Sequence, residues 1–253
     1  MPEKTLKNLK FFLLFTLLTS CGGSSETPLY KLEKEFPINL SEPSGLSFDS
    51  QNNLLVVIDD AVDSLIYKYD LEGNLVETLE LGFNGGNFEG VAFNPLNNGY
   101  FLADELRSKI YSVDSLGNKI SEFIPTTTDS LTSSDGLEAV VFHSTENYLI
   151  TVKEKNPSKI IQVSLDGSLI REISGNYGLG DFSGLFFQEA ENKLFILSDQ
   201  SEKVIILDYT SPFNSYEEFS FKMNKAEGVC LDGEENLWIL SENEKSLFKF
   251  IKN

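Results

Sequence analysis

The stretch "FEGVAF", Phe88–Phe93, decides the fold of this chain. Four related stretches return elsewhere: "PSGLSF" from Pro43, "LEAVVF" from Leu137, "FSGLFF" from Phe182 and "AEGVCL" from Ala226. Each is a short run of residues that favour β-strands, with a glycine or alanine near its start. Recurrence of one phrase five times predicts an internal structural repeat.

The period of this repeat is close to 45 residues. The small residue of each phrase lies at Gly45, Gly90, Ala139, Gly184 and Gly228, at intervals of 45, 49, 45 and 44 residues. Within a unit, four short runs rich in Val, Ile, Phe and Tyr alternate with turns of Gly, Asn and Asp, which is the pattern of β-hairpins. Four antiparallel strands per unit are typical of a β-propeller blade.

The last unit contains only three strand patterns before the chain ends at Asn253. The segment "YKLEKEFPINL", Tyr30–Leu40, precedes the first unit and has the alternation of an outer strand. We therefore predict an all-β, five-bladed propeller of four-stranded antiparallel blades, closed by its N-terminal strand, which removes an exposed sheet edge. A two-sheet sandwich is the alternative, but it does not account for the even spacing.

The N-terminal residues 1–20 have the pattern of an export signal. Three lysines precede the apolar run "FFLLFTLL", and "LTSC" ends at Cys21 as a lipobox. We predict lipidation of Cys21, a flexible tether over residues 21–29 and a single propeller domain over residues 30–253. Membrane attachment would then run through this lipid, and Gly22 after the cysteine favours the outer membrane.

The composition excludes some classes of partner. A formal net charge of -19 and a pI near 4.4 argue against nucleic acid, because phosphate binding needs clustered Lys and Arg. After removal of the signal, Cys230 is the only cysteine besides Cys21, so no disulfide within the domain is expected. We predict a monomer.

Three acids at the starts of inner strands form the candidate metal site. The first strand of each blade lies nearest the propeller axis, so Glu89, Glu138 and Glu227 should converge. Converging carboxylates acquire raised pKa values or need a counter-ion. Oxygen-only ligands suit Ca²⁺ or Mg²⁺, so we expect Ca²⁺ as a cofactor. Two alternatives stay open: acids that are hydrogen-bonded for structure, or a polar pocket for another ligand.

A second set of polar residues lies at the ends of the second strands, which should meet the first set at one mouth of the channel. The loop "KEKNP" adds a lysine to that face. The candidate ligand-binding residues are Asp59, Asp104, Glu154, Lys155, Asp199 and Glu242.

A resemblance to a known family is carried by "DGLEAVVF" with "VKEKNPSKI", by "GDFSGLFF" with "LFILSDQSEKVI", and by "KAEGVCLDGEENLWILSENEKSLFKF". These segments resemble the SdiA-regulated family of bacterial envelope proteins, which is akin to the larger NHL and SMP-30-like group of propellers. The resemblance implies a propeller, an exported location and a Ca²⁺ ion near the axis. It implies no particular reaction.

A tethered binding module is the favoured function, with an unknown protein, peptide or glycan at the propeller face. The alternatives are a metal-dependent hydrolase, similar to lactonases or phosphoesterases, and a purely structural role in the envelope. His143 is the only histidine, and the hairpin geometry places it on the face opposite the acids, which disfavours a nucleophilic triad.

Overall fold

The computed structural model describes residues 29–128, 131, 136–210, 213 and 216–253, and the regular elements of this part of the chain are all β-strands. The predicted signal and most of the tether lie outside the described residues. The strands are β1 (Tyr30–Pro37), β2 (Pro43–Asp49), β3 (Leu54–Asp59), β4 (Leu65–Tyr69), β5 (Leu75–Glu80), β6 (Phe88–Asn94), β7 (Gly99–Asp104), β8 (Lys109–Val113), β9 (Lys119–Phe123), β10 (Leu137–His143), β11 (Tyr148–Lys153), β12 (Lys159–Ser164), β13 (Leu169–Ser174), β14 (Gly184–Gln188), β15 (Lys193–Ser198), β16 (Lys203–Asp208), β17 (Tyr216–Ser220), β18 (Ala226–Leu231), β19 (Leu237–Ser241) and β20 (Ser246–Lys252).

The strands form five four-stranded antiparallel sheets. Blades 1 to 4 are β2-β3-β4-β5, β6-β7-β8-β9, β10-β11-β12-β13 and β14-β15-β16-β17, each in chain order from the inside outward. Blade 5 is β18-β19-β20-β1. The five-bladed propeller and the closure by the N-terminal strand are thereby confirmed.

The closing strand β1 is held along its whole length. It pairs antiparallel with β20, from Tyr30 opposite Lys252 to Pro37 opposite Ser246. Its Phe36 ring stacks on Trp238 of β19, with ring centres 5.4 Å apart. The circle of five blades is therefore closed within blade 5, by hydrogen bonds between β1 and β20 and by aromatic packing.

Two kinds of turn recur around the ring. The turn between the first and second strands of blades 1 to 4 contains an asparagine with positive φ, at Asn53, Asn98, Asn147 and Asn192. Asparagine tolerates this left-handed conformation better than most residues. In blades 1 to 3 the turn before the outer strand uses a glycine with positive φ, at Gly73, Gly117 and Gly167. In these hairpins the residues of the turn themselves favour the turn conformation.

The apolar core is divided among the gaps between blades. Five clusters of buried side chains each join neighbouring sheets; the one between blades 5 and 1, for example, contains Phe36, Leu46 and Trp238. Packing sheets face to face around a ring buries both faces of every blade, which explains why the inner strands are apolar almost throughout.

The small residues of the repeat form a narrow waist on the axis. A Cβ atom on Gly45 would lie 2.8 Å from the Glu89 carbonyl oxygen, and one on Gly90 would lie 2.8 Å from Ala139 Cα. A Cβ on Gly228 would come within 2.7 Å of the Leu46 backbone nitrogen. The cavity left on the axis has a volume of about 10 Å³, on the order of one water molecule. The waist therefore separates the two mouths of the channel.

Candidate acidic mouth of the propeller

The three axial glutamates occupy irregular positions in their strands. Phe88 pairs with Asp104 and Gly90 pairs with the preceding residue, Ala103, so Glu89 has no partner of its own. Strands β10 and β18 show the same shift around Glu138 and Glu227. A β-bulge of this kind re-aims the side chain of the extra residue. This is why a carboxylate can begin a strand that is otherwise buried.

The bulges bring the three carboxyl groups together. Burial, followed by repulsion from Asp60 and Glu227, raises the pKa of Glu89 to about 8. Burial and repulsion from Glu89 and Glu105, among others, raise the pKa of Glu138 to about 10. Burial also raises the pKa of Glu227 to about 8, against the opposing effect of Lys225. Each of the three carboxyl groups is thus buried, and Glu227 acts electrostatically on both Glu89 and Glu138.

An outer ring of acids surrounds the axial ones. The residue directly after the second strand is acidic in every blade: Asp60, Glu105, Glu154, Asp199 and Glu242. We call the surface formed by these five residues and Glu89, Glu138 and Glu227 the acidic mouth. The candidate ligand set contained Glu154, Asp199 and Glu242 from this ring, but not Asp60 or Glu105, which the 15-residue offset from Gly45 and Gly90 could have included.

The candidates Asp59 and Asp104 are one residue earlier and point into the loops. Asp59 is 2% exposed and accepts hydrogen bonds from the backbone N–H groups of Ser41, Glu42 and Ala61 at 2.9–3.1 Å. Asp104 is fully buried, and its oxygens accept from the N–H groups of Gly86 and Arg107 and from the Arg107 guanidinium. Both carboxylates therefore hold loop backbone in place, and the chain itself occupies their oxygens.

The remaining candidates have partners at the mouth. Lys155 Nζ lies 2.6 Å from Glu154 Oε1. Asp199 accepts a hydrogen bond from the backbone N–H of Ala226 at 3.0 Å. Glu242 is paired with Lys225, which also lies 4.0 Å from Glu227. Lys225 is therefore a cation of the mouth that the sequence analysis did not single out.

Serine replaces the axial glutamate in blades 1 and 4. Ser44 Oγ donates to the Phe88 carbonyl at 2.7 Å, and Ser183 Oγ donates to the Ala226 carbonyl at 2.8 Å. Each hydroxyl thus joins its blade to the next one. The ring is unsymmetrical: blades 2, 3 and 5 carry acids, whereas blades 1 and 4 carry hydrogen-bonded links.

Local hydrogen bonds only partly compensate the negative charge. The Asn87 amide donates to Glu89. Burial raises the pKa of Glu105, while hydrogen bonding from Glu138 and from the Gly136 backbone partly offsets this rise. Asp60 Oδ1 is buried without a hydrogen-bond partner, and the pKa of Asp60 is raised to about 7 by burial and by Glu42. The mouth therefore retains carboxylates that a proton or a cation would stabilise.

Among the described residues, no three His, Cys, Asp or Glu side chains are arranged as a ready-made metal site. The same residues include no helix long and apolar enough to cross a bilayer. Cys21, the predicted lipid attachment site, lies outside the described residues, whereas Cys230 is buried and free.

Comparison with known proteins identifies the family. The sequence model described as SdiA-regulated matches residues 28–252, which includes the whole propeller. The chain belongs to the SdiA-regulated family. The acidic mouth is therefore a feature of an SdiA-regulated propeller, and its axial residues all lie within the matched region.

The SdiA-regulated propeller is also similar to a solved structure. A chain in the crystal structure of a nidogen/laminin complex superposes with a TM-score of 0.59 and 18% identity, over 79% of this chain and 73% of that one. That chain is also a β-propeller. Similarity at this level of identity supports the fold and carries no argument about ligands.

Proposed function

We propose that this SdiA-regulated propeller is an envelope lipoprotein that binds a cationic group at its acidic mouth. The observation that supports this most strongly is the environment of Glu138, which is surrounded by Glu89, Glu105, Glu154 and Glu227. A concave surface lined by charges of one sign concentrates counter-ions and steers oppositely charged ligands toward it.

The cations near the mouth are too few to neutralise it. Eight carboxyl groups form the acidic mouth, and the lysines in contact with them are Lys155, paired with Glu154, and Lys225, paired with Glu242. Glu89 and Glu138 have no such ion pair among the described contacts. Burial and, after it, repulsion from other acids raise the pKa of both groups, and a cationic ligand would relieve the repulsion.

Calcium is the ion that the donor chemistry fits. The donors of the mouth are carboxylate oxygens, as Ca²⁺ prefers, and the buried, unpaired Asp60 Oδ1 is a further oxygen without a partner. Glu89, Glu138 and Glu227 would hold the ion after their side chains rotate toward one another. Bound there, Ca²⁺ would offset two of the three negative charges and link blades 2, 3 and 5.

The position of the N-terminus is compatible with a membrane anchor. Tyr30 pairs with Lys252, at the end of β20 that is remote from Glu242 and the acidic mouth. Leu29 accepts a hydrogen bond from Asn253 at the same end. The described part of the chain therefore begins on the face opposite the acidic mouth.

Calcium is expected to raise the melting temperature of the wild-type domain, and EDTA to lower it again. At a Ca²⁺ concentration of about 100 times the dissociation constant, the stabilisation is about 2.7 kcal/mol. In Glu138→Gln the response should be reduced at least severalfold, because one proposed ligand charge is lost. Differential scanning calorimetry with and without Ca²⁺ measures both effects.

Glu72→Gln is the matched control, because it removes the same charge from an exposed turn. Its calcium response should equal that of the wild type. Equal responses in the Glu138 and Glu72 variants, or no response in the wild type, would contradict binding at the acidic mouth.

Replacement of Cys21 by alanine is expected to move the full-length protein from the membrane fraction to the soluble fraction of its host, because stable anchoring needs the acyl chains. Fractionation followed by immunoblotting measures this, and metabolic labelling with a fatty acid should mark the wild type alone. Membrane association that survives the substitution would overturn the anchor without affecting the proposal for the mouth.

A further inference from the structure

The face opposite the acidic mouth contains an apolar cavity of about 320 Å³. We call it the Phe funnel, after the phenylalanines of the inner strands of blades 1 to 4 that line it: Phe48, Phe93, Phe142, Phe186 and Phe187. Cavities of about 300–1,000 Å³ with apolar walls and a few polar groups are the usual form of small-molecule sites.

The phenylalanine rings of the funnel pack against aromatic rings of adjacent strands and blades. Phe93 packs on Tyr100 at 5.8 Å and Phe142 packs on Phe101 at 5.1 Å, in each case between ring centres. Phe187 contacts His143 at 4.6 Å. These contacts hold the rings in place in the wall of the funnel.

The waist makes this site independent of the acidic mouth. The inner strands approach too closely at Gly45, Gly90 and Gly228 to accept even a methyl group. A ligand in the funnel therefore cannot reach the axial glutamates along the channel. Binding on the two faces can be measured separately.

The rim of the funnel is preformed by hydrogen bonds between blades. Ser47 Oγ accepts from the Phe93 backbone N–H at 3.0 Å, and the Gln51 side chain donates to the Pro95 carbonyl at 2.6 Å. Glu189 accepts from the Thr145 hydroxyl at 2.7 Å and from the Ser144 backbone. A rigid rim reduces the entropy that a ligand loses on binding.

The charge of the wall selects the ligand. Among the described residues that line the funnel, Glu189 is the charged one, and neither Lys nor Arg contributes. A second carboxylate, Glu146, is exposed in the adjoining turn, where its backbone N–H donates to the His143 ring. His143 Nδ1 lies 3.6 Å from Glu189, and Arg171 acts on the neighbouring Tyr148 from outside the cavity lining. An anionic amphiphile such as a fatty acid would meet the repulsion of Glu189 and Glu146, and the lining itself offers it neither Lys nor Arg.

We propose that the Phe funnel binds a small cationic amphiphile, an aromatic or aliphatic group that carries an amine. The apolar part would occupy the space between Phe93, Phe142 and Phe187. The ammonium group would lie at the rim beside Glu189 and Glu146.

Three probes with the same phenyl group and different charge test this: phenethylamine, 2-phenylethanol and phenylacetate. In a heteronuclear NMR titration of the domain, phenethylamine is expected to shift the amide resonances of Ser50, Ala92 and Ser144 with a dissociation constant at least tenfold lower than that of phenylacetate. The alcohol should be intermediate. Added salt should weaken the binding of the amine and leave the binding of the alcohol unchanged.

Ser50→Trp is designed to cover the rim, and Ser115→Trp is its control. Both serines are exposed and lie in turns, but Ser115 is not part of the funnel. Covering the rim should raise the dissociation constant of phenethylamine at least tenfold, while the control variant should bind phenethylamine as tightly as the wild type does. Glu138→Gln, on the other face, should leave these resonance shifts unchanged.

Three results would overturn the proposal. These are saturable shifts of similar affinity for the amine and phenylacetate, shifts confined to the acidic mouth, or no saturable shift up to the solubility limit of the amine. Circular dichroism and the melting temperature of Ser50→Trp establish that a loss of binding is not a loss of fold.

Discussion

The free energy of unfolding of the ion-free domain is expected to fall as the pH rises from about 5 to about 9. The pKa of Glu89 and of Glu227 is raised to about 8 in the folded chain, and that of Glu138 to about 10, from a value of 4.5. Above pH 4.5 the unfolded chain therefore releases protons that the folded chain still holds. The stability that these raised pKa values contribute is fully present below pH 4.5, and it is lost as the pH rises through the pKa values of the folded chain.

The size of this effect follows from the number of retained protons. Each one contributes a slope of about 1.4 kcal/mol per pH unit. Because the three groups lie close together and repel one another, their contributions do not add fully, and we expect a total on the order of several kcal/mol over this range. Urea unfolding at a series of pH values in EDTA measures it.

Glu138→Gln should flatten the pH dependence, because glutamine keeps the shape and the donor of a protonated glutamate but has no proton to lose. The variant should match the wild type near pH 5 and exceed it in stability near pH 9. Glu72→Gln removes a charge from an exposed turn and should keep the wild-type slope. If the free energy of unfolding had the same pH dependence in the wild type and in Glu138→Gln, the axial carboxyl groups would not hold the extra protons in the folded chain.

Truncation of Phe36 to alanine is expected to destabilise the propeller by about 3–5 kcal/mol. The side chain is 7% exposed, and its ring centre lies 5.4 Å from that of Trp238. On its other side it packs so closely against Gly73 that a Cβ atom on Gly73 would clash with it. Because β1 is an edge strand with β20 as its only strand neighbour, its loss would open the ring. Amide protons of β1 and β20 should therefore lose protection first in hydrogen exchange.

Leu32→Ala on the same strand is the control for this experiment. Leu32 is 49% exposed, so its truncation should change the stability by no more than about 0.5 kcal/mol. If Phe36→Ala and Leu32→Ala lost similar stability, or if protection were lost first in another blade, closure by β1 would not limit the stability of the ring.

Much of the acidic mouth could be inferred from sequence, but the direction of individual side chains could not. The 45-residue spacing predicted that Glu89, Glu138 and Glu227 would lie near the axis, and in the structure all three are buried and Glu227 acts electrostatically on the other two. The same spacing could not separate Asp59 from Asp60 or Asp104 from Glu105, since consecutive residues at a strand end differ only in which way they point. The structure turns Asp59 and Asp104 into the loops, where backbone N–H groups use their oxygens.

The sequence by itself determined the number of blades, the closing strand and the ring of small residues on the axis, because a periodic pattern and turn residues such as Asn53 and Gly73 act locally. Only the tertiary structure decided which acids form the acidic mouth and that the opposite end opens as the Phe funnel. These features depend on the register of consecutive strands at the bulges of Glu89, Glu138 and Glu227, and on ring contacts between neighbouring blades such as Phe142 with Phe101. Both are set by pairing and packing against another strand, which the repeat pattern alone does not specify.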